Sequence, residues 1–186
     1  ILRPCVGLAT RRRRRRVREA VRRLPGTGAD WKSTLDDPPF RGDGKGVSIA
    51  VIDSGVNRDT PHIGAIAGGV SIGADGNVGD DFDDGLGHGT AVTAAIQEKA
   101  PAARVWAVKV FDRSLTTSAA SLARAIEWAA ASEMDVANLS LGTPVAARET
   151  ELRAVVERAA ADGLLVVSAA RHRDTPWWPG CLEAAL

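Results

Sequence analysis

An apolar run from Val47 to Ile52 ends in Asp53-Ser54-Gly55, and thirty-five positions after Asp53 comes His88, within Gly87-His88-Gly89-Thr90, where a helical pattern begins. An aspartate and a histidine are the two groups that turn a hydroxyl into a nucleophile. The imidazole takes the hydroxyl proton, while a carboxylate accepting its Nδ1–H fixes the tautomer and stabilises the imidazolium that forms. A carboxylate at the C-terminal end of a buried parallel strand stands where α/β sheets build their sites. Each half alone has an ordinary reading, Asp53 as the start of a turn and His88 as a surface residue.

The elements that must position this pair follow from hydrophobic patterning. Near-continuous apolar runs predict strands over Val47–Ile52 and Leu164–Ser168, with further strands over Arg104–Val110 and Asp135–Ser140. Helical patterns predict a first helix over about His88–Lys99, stopping before Pro101, and a second over about Ser118–Ala131 with Leu122, Ile126 and Ala129 on one face. A third covers about Val145–Asp162, with Leu152, Val155, Val156 and Ala159 inward and Gly163 as its C-terminal cap. Alternating strands and helices give an α/β fold, a doubly wound, mostly parallel sheet with helices on both faces.

Val51-Ile52-Asp53-Ser54-Gly55-Val56 and Gly87-His88-Gly89-Thr90 together resemble the aspartate and histidine motifs of the subtilisin-like serine proteases, the subtilases, in that family's order of Asp, then His, then Ser. Asn138-Leu139-Ser140-Leu141-Gly142 resembles the segment that leaves a strand and pairs with extended substrate in that family. The resemblance runs from about Gly44 to Gly180. It implies a serine endopeptidase acting on peptides or proteins, with Asp53 and His88 catalytic and Ser140, Leu141 and Gly142 as one wall of a substrate cleft. It implies no cofactor for the chemistry. The family's serine motif does not occur before Leu186, and the pattern breaks off in what should be the next strand; the nucleophile is expected beyond Leu186, and the α/β domain to be incomplete at its C-terminus.

Two departures bear on activity. After Val108-Lys109-Val110, where the family has glycines in a second cleft wall, this chain has Asp112-Arg113-Ser114-Leu115-Thr116-Thr117. Gly163–Ala170 resembles the strand before the family's oxyanion-hole asparagine, yet Arg171-His172 follow in place of Gly-Asn. Losing such a donor costs roughly a hundred- to thousandfold in turnover, a magnitude that belongs to a subtilisin and not to this chain. His172 could donate from a ring nitrogen instead, or be only a polar loop residue. Trp177-Trp178-Pro179-Gly180-Cys181 then resembles the family's aromatic-proline segment.

Two lookalikes weigh less. Gly69-Val70-Ser71-Ile72-Gly73 fits the nucleophile elbow of α/β-hydrolases, but Ala74-Asp75-Gly76-Asn77 reads as a loop where the elbow needs a helix. The acidic loop Asp80-Asp81-Phe82-Asp83-Asp84 could hold a structural calcium ion through its oxygens, although it lacks the spacing of an EF-hand.

Charge divides the 186 residues sharply: residues 1–46 carry 13 Lys/Arg against 5 Asp/Glu, and residues 47–186 carry 11 against 18. Residues 1–25, with Arg11–Arg16 consecutive, read as a basic arm, helical or disordered; 26–46, rich in Gly, Pro and Asp, as a linker; and 47–186 as the partial α/β domain. The arm offers an alternative function, polyanion binding, but with no aromatic interleaved to stack on bases it does not suit nucleic-acid reading. A second alternative is a subtilase-like module that holds peptides without cleaving them. Cys5 and Cys181 are too few for a disulfide framework. No apolar run approaches the roughly 20 residues that span a bilayer, and no signal peptide is visible.

Overall fold

A computed structural model describes residues 42–186; the basic arm and residues 26–41 lie outside the described residues. The first strand, β1 (Ser48–Asp53), is buried at all 6 positions because helices cover both of its faces. Side chains alternate along a strand. Ala50 and Ile52 therefore enter one core, with Leu122, Ile126, Leu152 and Val156. Ile49 and Val51 enter a second, with Val105, Val92 and Ile96. Asp53 is in phase with this second set.

The remaining elements in chain order are β2 (Gly68–Ile72), β3 (Val78–Gly79), α1 (His88–Lys99), β4 (Arg104–Lys109), α2 (Ala119–Ala131), β5 (Val136–Leu139), a 3-10 turn at Ala146–Arg148, α3 (Glu149–Ala161), β6 (Leu165–Ser168), β7 (Arg171–His172) and β8 (Thr175–Pro176). The 6-stranded sheet runs β3-β2-β4-β1-β5-β6. All its pairings are parallel except β2 with β3. Thus β1 is central, β4 lies on one side and β5 on the other. The helix leading into β4 packs on one face, and those leading into β5 and β6 pack on the other. Crevices form at the carboxyl ends of strands where the chain changes direction in this way.

Every strand and helix expected from the sequence is present within a few residues of its expected bounds. Ser118 caps α2, its hydroxyl accepting the Ser121 N–H at 2.9 Å. The inward faces of α2 and α3 are buried as their periodicity requires. Gly163, at φ 98°, ends α3 in the left-handed conformation, and Leu164 N–H donates to Ala159 O at 2.9 Å.

The differences have local causes. The third helix starts late because Thr143 is held extended by reciprocal backbone hydrogen bonds with Trp178, so the chain passes through the 3-10 turn first. Strand β2 is new, and its opening glycines disguise it. A Cβ on Gly68 would meet the Trp106 ring at 2.5 Å, and one on Gly69 would meet Phe82 at 2.5 Å. These are glycines of close approach inside a strand. The elbow lookalike is this strand, followed by a turn and not a helix. At the far edge, Leu186 N–H donates to Val166 O and Leu186 O accepts from Ser168 N–H, so the last residues join β6 in parallel, as the expected next strand would.

Candidate active site

The end of β1 and the start of α1 meet at Asp53 and His88. Asp53 is completely buried, and its carboxylate oxygens lie 2.8 and 3.0 Å from His88 Nδ1. The Ser54 N–H donates to Oδ1 at 2.8 Å. A carboxylate offers only acceptors, so the proton of the imidazole contact sits on Nδ1 and the Nε2 lone pair is left for another donor. Nε2 has no hydrogen-bond partner among the described residues, and the His88 side chain is 41% exposed. This is an imidazole arranged to accept a proton at Nε2 while a buried carboxylate holds its other nitrogen.

Two glycines bring the helix this close. Gly87 sits at φ 84°, a left-handed conformation that turns the chain into α1. Gly89 is needed for space: a Cβ there would collide with the Gly55 carbonyl and come within 3.2 Å of Asp53 Cβ. Gly89 N–H donates to Ser54 Oγ at 2.9 Å, fastening the helix to the end of the strand.

Gly87 has no side chain to cap α1, and Asp84 does that work from three residues back. It accepts the N–H groups of Leu86, Gly87 and Thr90 at 2.8–2.9 Å and the Thr90 hydroxyl at 2.6 Å. Partial burial opposes the charged form, but these four hydrogen bonds prevail and hold the Asp84 carboxyl below the ordinary carboxylate range. The Thr90 hydroxyl in turn accepts the Asn57 N–H at 2.9 Å.

His88 lines one end of a cleft of about 690 Å³. Ser140, Leu141 and Gly142 line it too. Their wall is braced from behind: Ser168 Oγ donates to Leu141 O at 3.1 Å, and a Cβ on Gly142 would lie 3.0 Å from both the Trp177 ring and the Trp178 carbonyl. The Gly142 N–H and carbonyl have no hydrogen-bond partner among the described residues, as a segment open to strand addition requires. Leu115, Thr116 and Thr117, from the segment that departs from the family's glycines, also line the cleft.

His172 lines the same cleft from the β7–β8 hairpin. Its ring lies 5.1 Å, centroid to centroid, from that of Trp177. Sequence reasoning did not single out Arg148 or Arg171 as cleft residues, nor Asp84 and Thr90 as supports for the histidine. A helix start without a capping side chain at Gly87 was the available signal for Asp84.

Carboxylates of the acidic loop have protein partners. Asp81 lies 3.6 Å from Lys109 Nζ, Asp83 pairs with Arg58 at 3.2 Å, and Asp84 is engaged at the cap. Among the described residues no group of three or more His, Cys, Asp or Glu side chains is placed to hold a metal. No described helix is long and apolar enough to cross a membrane.

A sequence profile described as the subtilase family matches residues 44–173. This chain belongs to the subtilases. Subtilisin E of Bacillus subtilis (strain 168) is 35% identical to it over 136 residues, 68% of this chain and 34% of the relative. Subtilisin Savinase of Lederbergia lenta is 36% identical over 135 residues, 68% of this chain and 48% of the relative. The Minor extracellular protease Epr of Bacillus subtilis (strain 168) is 36% identical over 149 residues, 75% of this chain and 21% of the relative. The subtilase chain thus spans from about a fifth to about half the length of these three relatives. Its sheet and its Asp53–His88 contact fall inside the matched region.

Proposed function

We propose that this subtilase chain supplies two members of a serine endopeptidase triad, His88 as general base then general acid and Asp53 as the group that holds it. The observation that carries this reading is the buried carboxylate on Nδ1 with Nε2 left free at the cleft. The nucleophile in this reading is a serine from residues following Leu186 in the complete protein. Its hydroxyl proton passes to Nε2 as the oxygen bonds to the scissile carbonyl carbon, and the carbonyl electron pair moves onto its oxygen. Collapse of that adduct breaks the C–N bond, the proton on Nε2 leaves with the amine, and water repeats the sequence to free the acid. Ser140, Leu141 and Gly142 hold the peptide extended beside His88, and His172 is the candidate donor to the oxyanion. No metal or organic cofactor enters these steps.

The complete protein should be labelled by a serine-directed fluorophosphonate, and His88→Ala should abolish labelling. If the wild-type protein is folded yet unlabelled, the hydrolase reading fails. The second reading, a module that holds peptides without hydrolysis, is favoured by His172, an exposed ring packed on Trp177 where the family has an asparagine. Peptide binding without labelling selects it.

A further inference from the structure

We propose that the cleft selects extended peptides carrying an acidic side chain, with Arg171 and Arg148 making the selection. The proposal rests on the peptide-cleft reading of Ser140–Gly142. Among the described residues lining the cleft, Arg148 and Arg171 are cationic and there is no aspartate or glutamate. This is unexpected in a body whose residues 47–186 carry 18 Asp/Glu against 11 Lys/Arg.

Elsewhere the cations of that body are mostly answered by carboxylates: Arg58 by Asp83, Arg124 and Arg158 by Glu127, and Arg153 by Glu149. Arg171 has no ion pair with any described residue, and it stands exposed on the β7 strand at the cleft wall. Arg148 has only a contact of 3.5 Å to Glu151, between side chains 57% and 39% exposed. Exposed pairs of this kind are weak and exchange readily for a better partner.

The rest of the cleft argues for a peptide and against a bare polyanion. Leu115, Leu122 and Leu141 line it beside the open backbone of Gly142. An extended peptide presents alternate side chains to opposite sides. Apolar residues can then meet the leucines while a carboxylate between them meets a guanidinium, whose planar fork matches it.

The test uses the 186-residue chain and blocked alanine hexapeptides with Glu placed at each position in turn, beside Gln and Lys counterparts, read by isothermal titration calorimetry. At one position or a neighbouring pair, the Glu peptide should bind on the order of fivefold more tightly than its Gln counterpart, and Lys more weakly than either. The gap should close towards unity in roughly 0.5 M salt, because these charges face solvent. Arg171→Gln should narrow the Glu-to-Gln ratio, and Arg171→Glu should invert it in favour of Lys. Equal affinity for Glu and Gln peptides in wild type overturns the proposal and leaves the peptide-cleft reading standing. No binding by any peptide overturns both. A short polyphosphate that matches the best Glu peptide also overturns it, in favour of a general anion surface.

Discussion

The backbone N–H of Gly89 donates to the hydroxyl oxygen of Ser54 at 2.9 Å, so the residue after His88 is bonded to the residue after Asp53. The two chemical groups are thereby set by their immediate chain neighbours as well as by their own contact. Ser54 is itself completely buried. Ser54→Ala removes the acceptor and leaves a buried N–H without a partner, at a cost of about 1–3 kcal/mol. Urea denaturation followed by circular dichroism should record that loss, and an unchanged midpoint would contradict it.

Gly89→Ala acts on the same joint by crowding. The new methyl group must push the Gly55 carbonyl away, and overpacking of this kind costs about 1–3 kcal/mol. The imidazole should also move relative to the carboxylate. In the complete protein, fluorophosphonate labelling should slow by more than the stability change accounts for.

Asp84→Ala tests the cap supplied from outside the helix. Loss of the four hydrogen bonds should cost about 1 kcal/mol, the usual worth of a helix cap. The pH dependence has a definite sign. The folded carboxyl of Asp84 lies below its unfolded value of about 3.9, so its contribution is complete above that value and disappears as the pH falls through the depressed folded pKa. Stability measured from pH 6 down to pH 2 should fall less steeply at the acid end in the variant than in wild type.

Asp53→Asn asks whether the carboxylate sets the histidine tautomer. An asparagine amide can donate to Nδ1, which moves the ring proton to Nε2 and removes the base. Nitrogen NMR of the His88 ring should report Nδ1–H in wild type and Nε2–H in the variant. Hydrolysis by the complete protein should drop about 10⁴-fold, the size of effect found when a serine-protease triad loses its aspartate this way.

Much of this arrangement was legible before any coordinates. The six buried positions of β1 follow from an unbroken apolar run, and that run fixes where Asp53 must emerge. Gly-His-Gly announced a close helix start, and the inward residues of α2 and α3 follow from their 3.6-residue period. What stayed hidden depends on contacts between distant segments. Gly68 and Gly69 look like loop residues until Trp106 and Phe82 are seen lying against them. Arg148 and Arg171 stand 23 positions apart in sequence, and no periodicity relates them; only the folding of β5 and β6 side by side brings both to one cleft. The capping role of Asp84 was masked because it sits among neighbouring aspartates that read as an acidic loop.

Lys109 ends β4 opposite Asp53, and its side chain is only 11% exposed. Its ammonium donates to the Asp83 carbonyl at 2.9 Å and reaches Asp81 at 3.6 Å and Asp112 at 3.8 Å. One side chain therefore moors two loops: the one that delivers Asp84 to the histidine helix, and the one that becomes the Leu115 wall of the cleft. The hydrogen bond to the Asp83 carbonyl is the firm one, and the contacts to the exposed Asp81 and Asp112 carboxylates are of the weaker, solvent-facing kind. The approach to the histidine helix and the segment leading to Leu115 therefore share one contact residue, and a substitution at Lys109 should disturb both together.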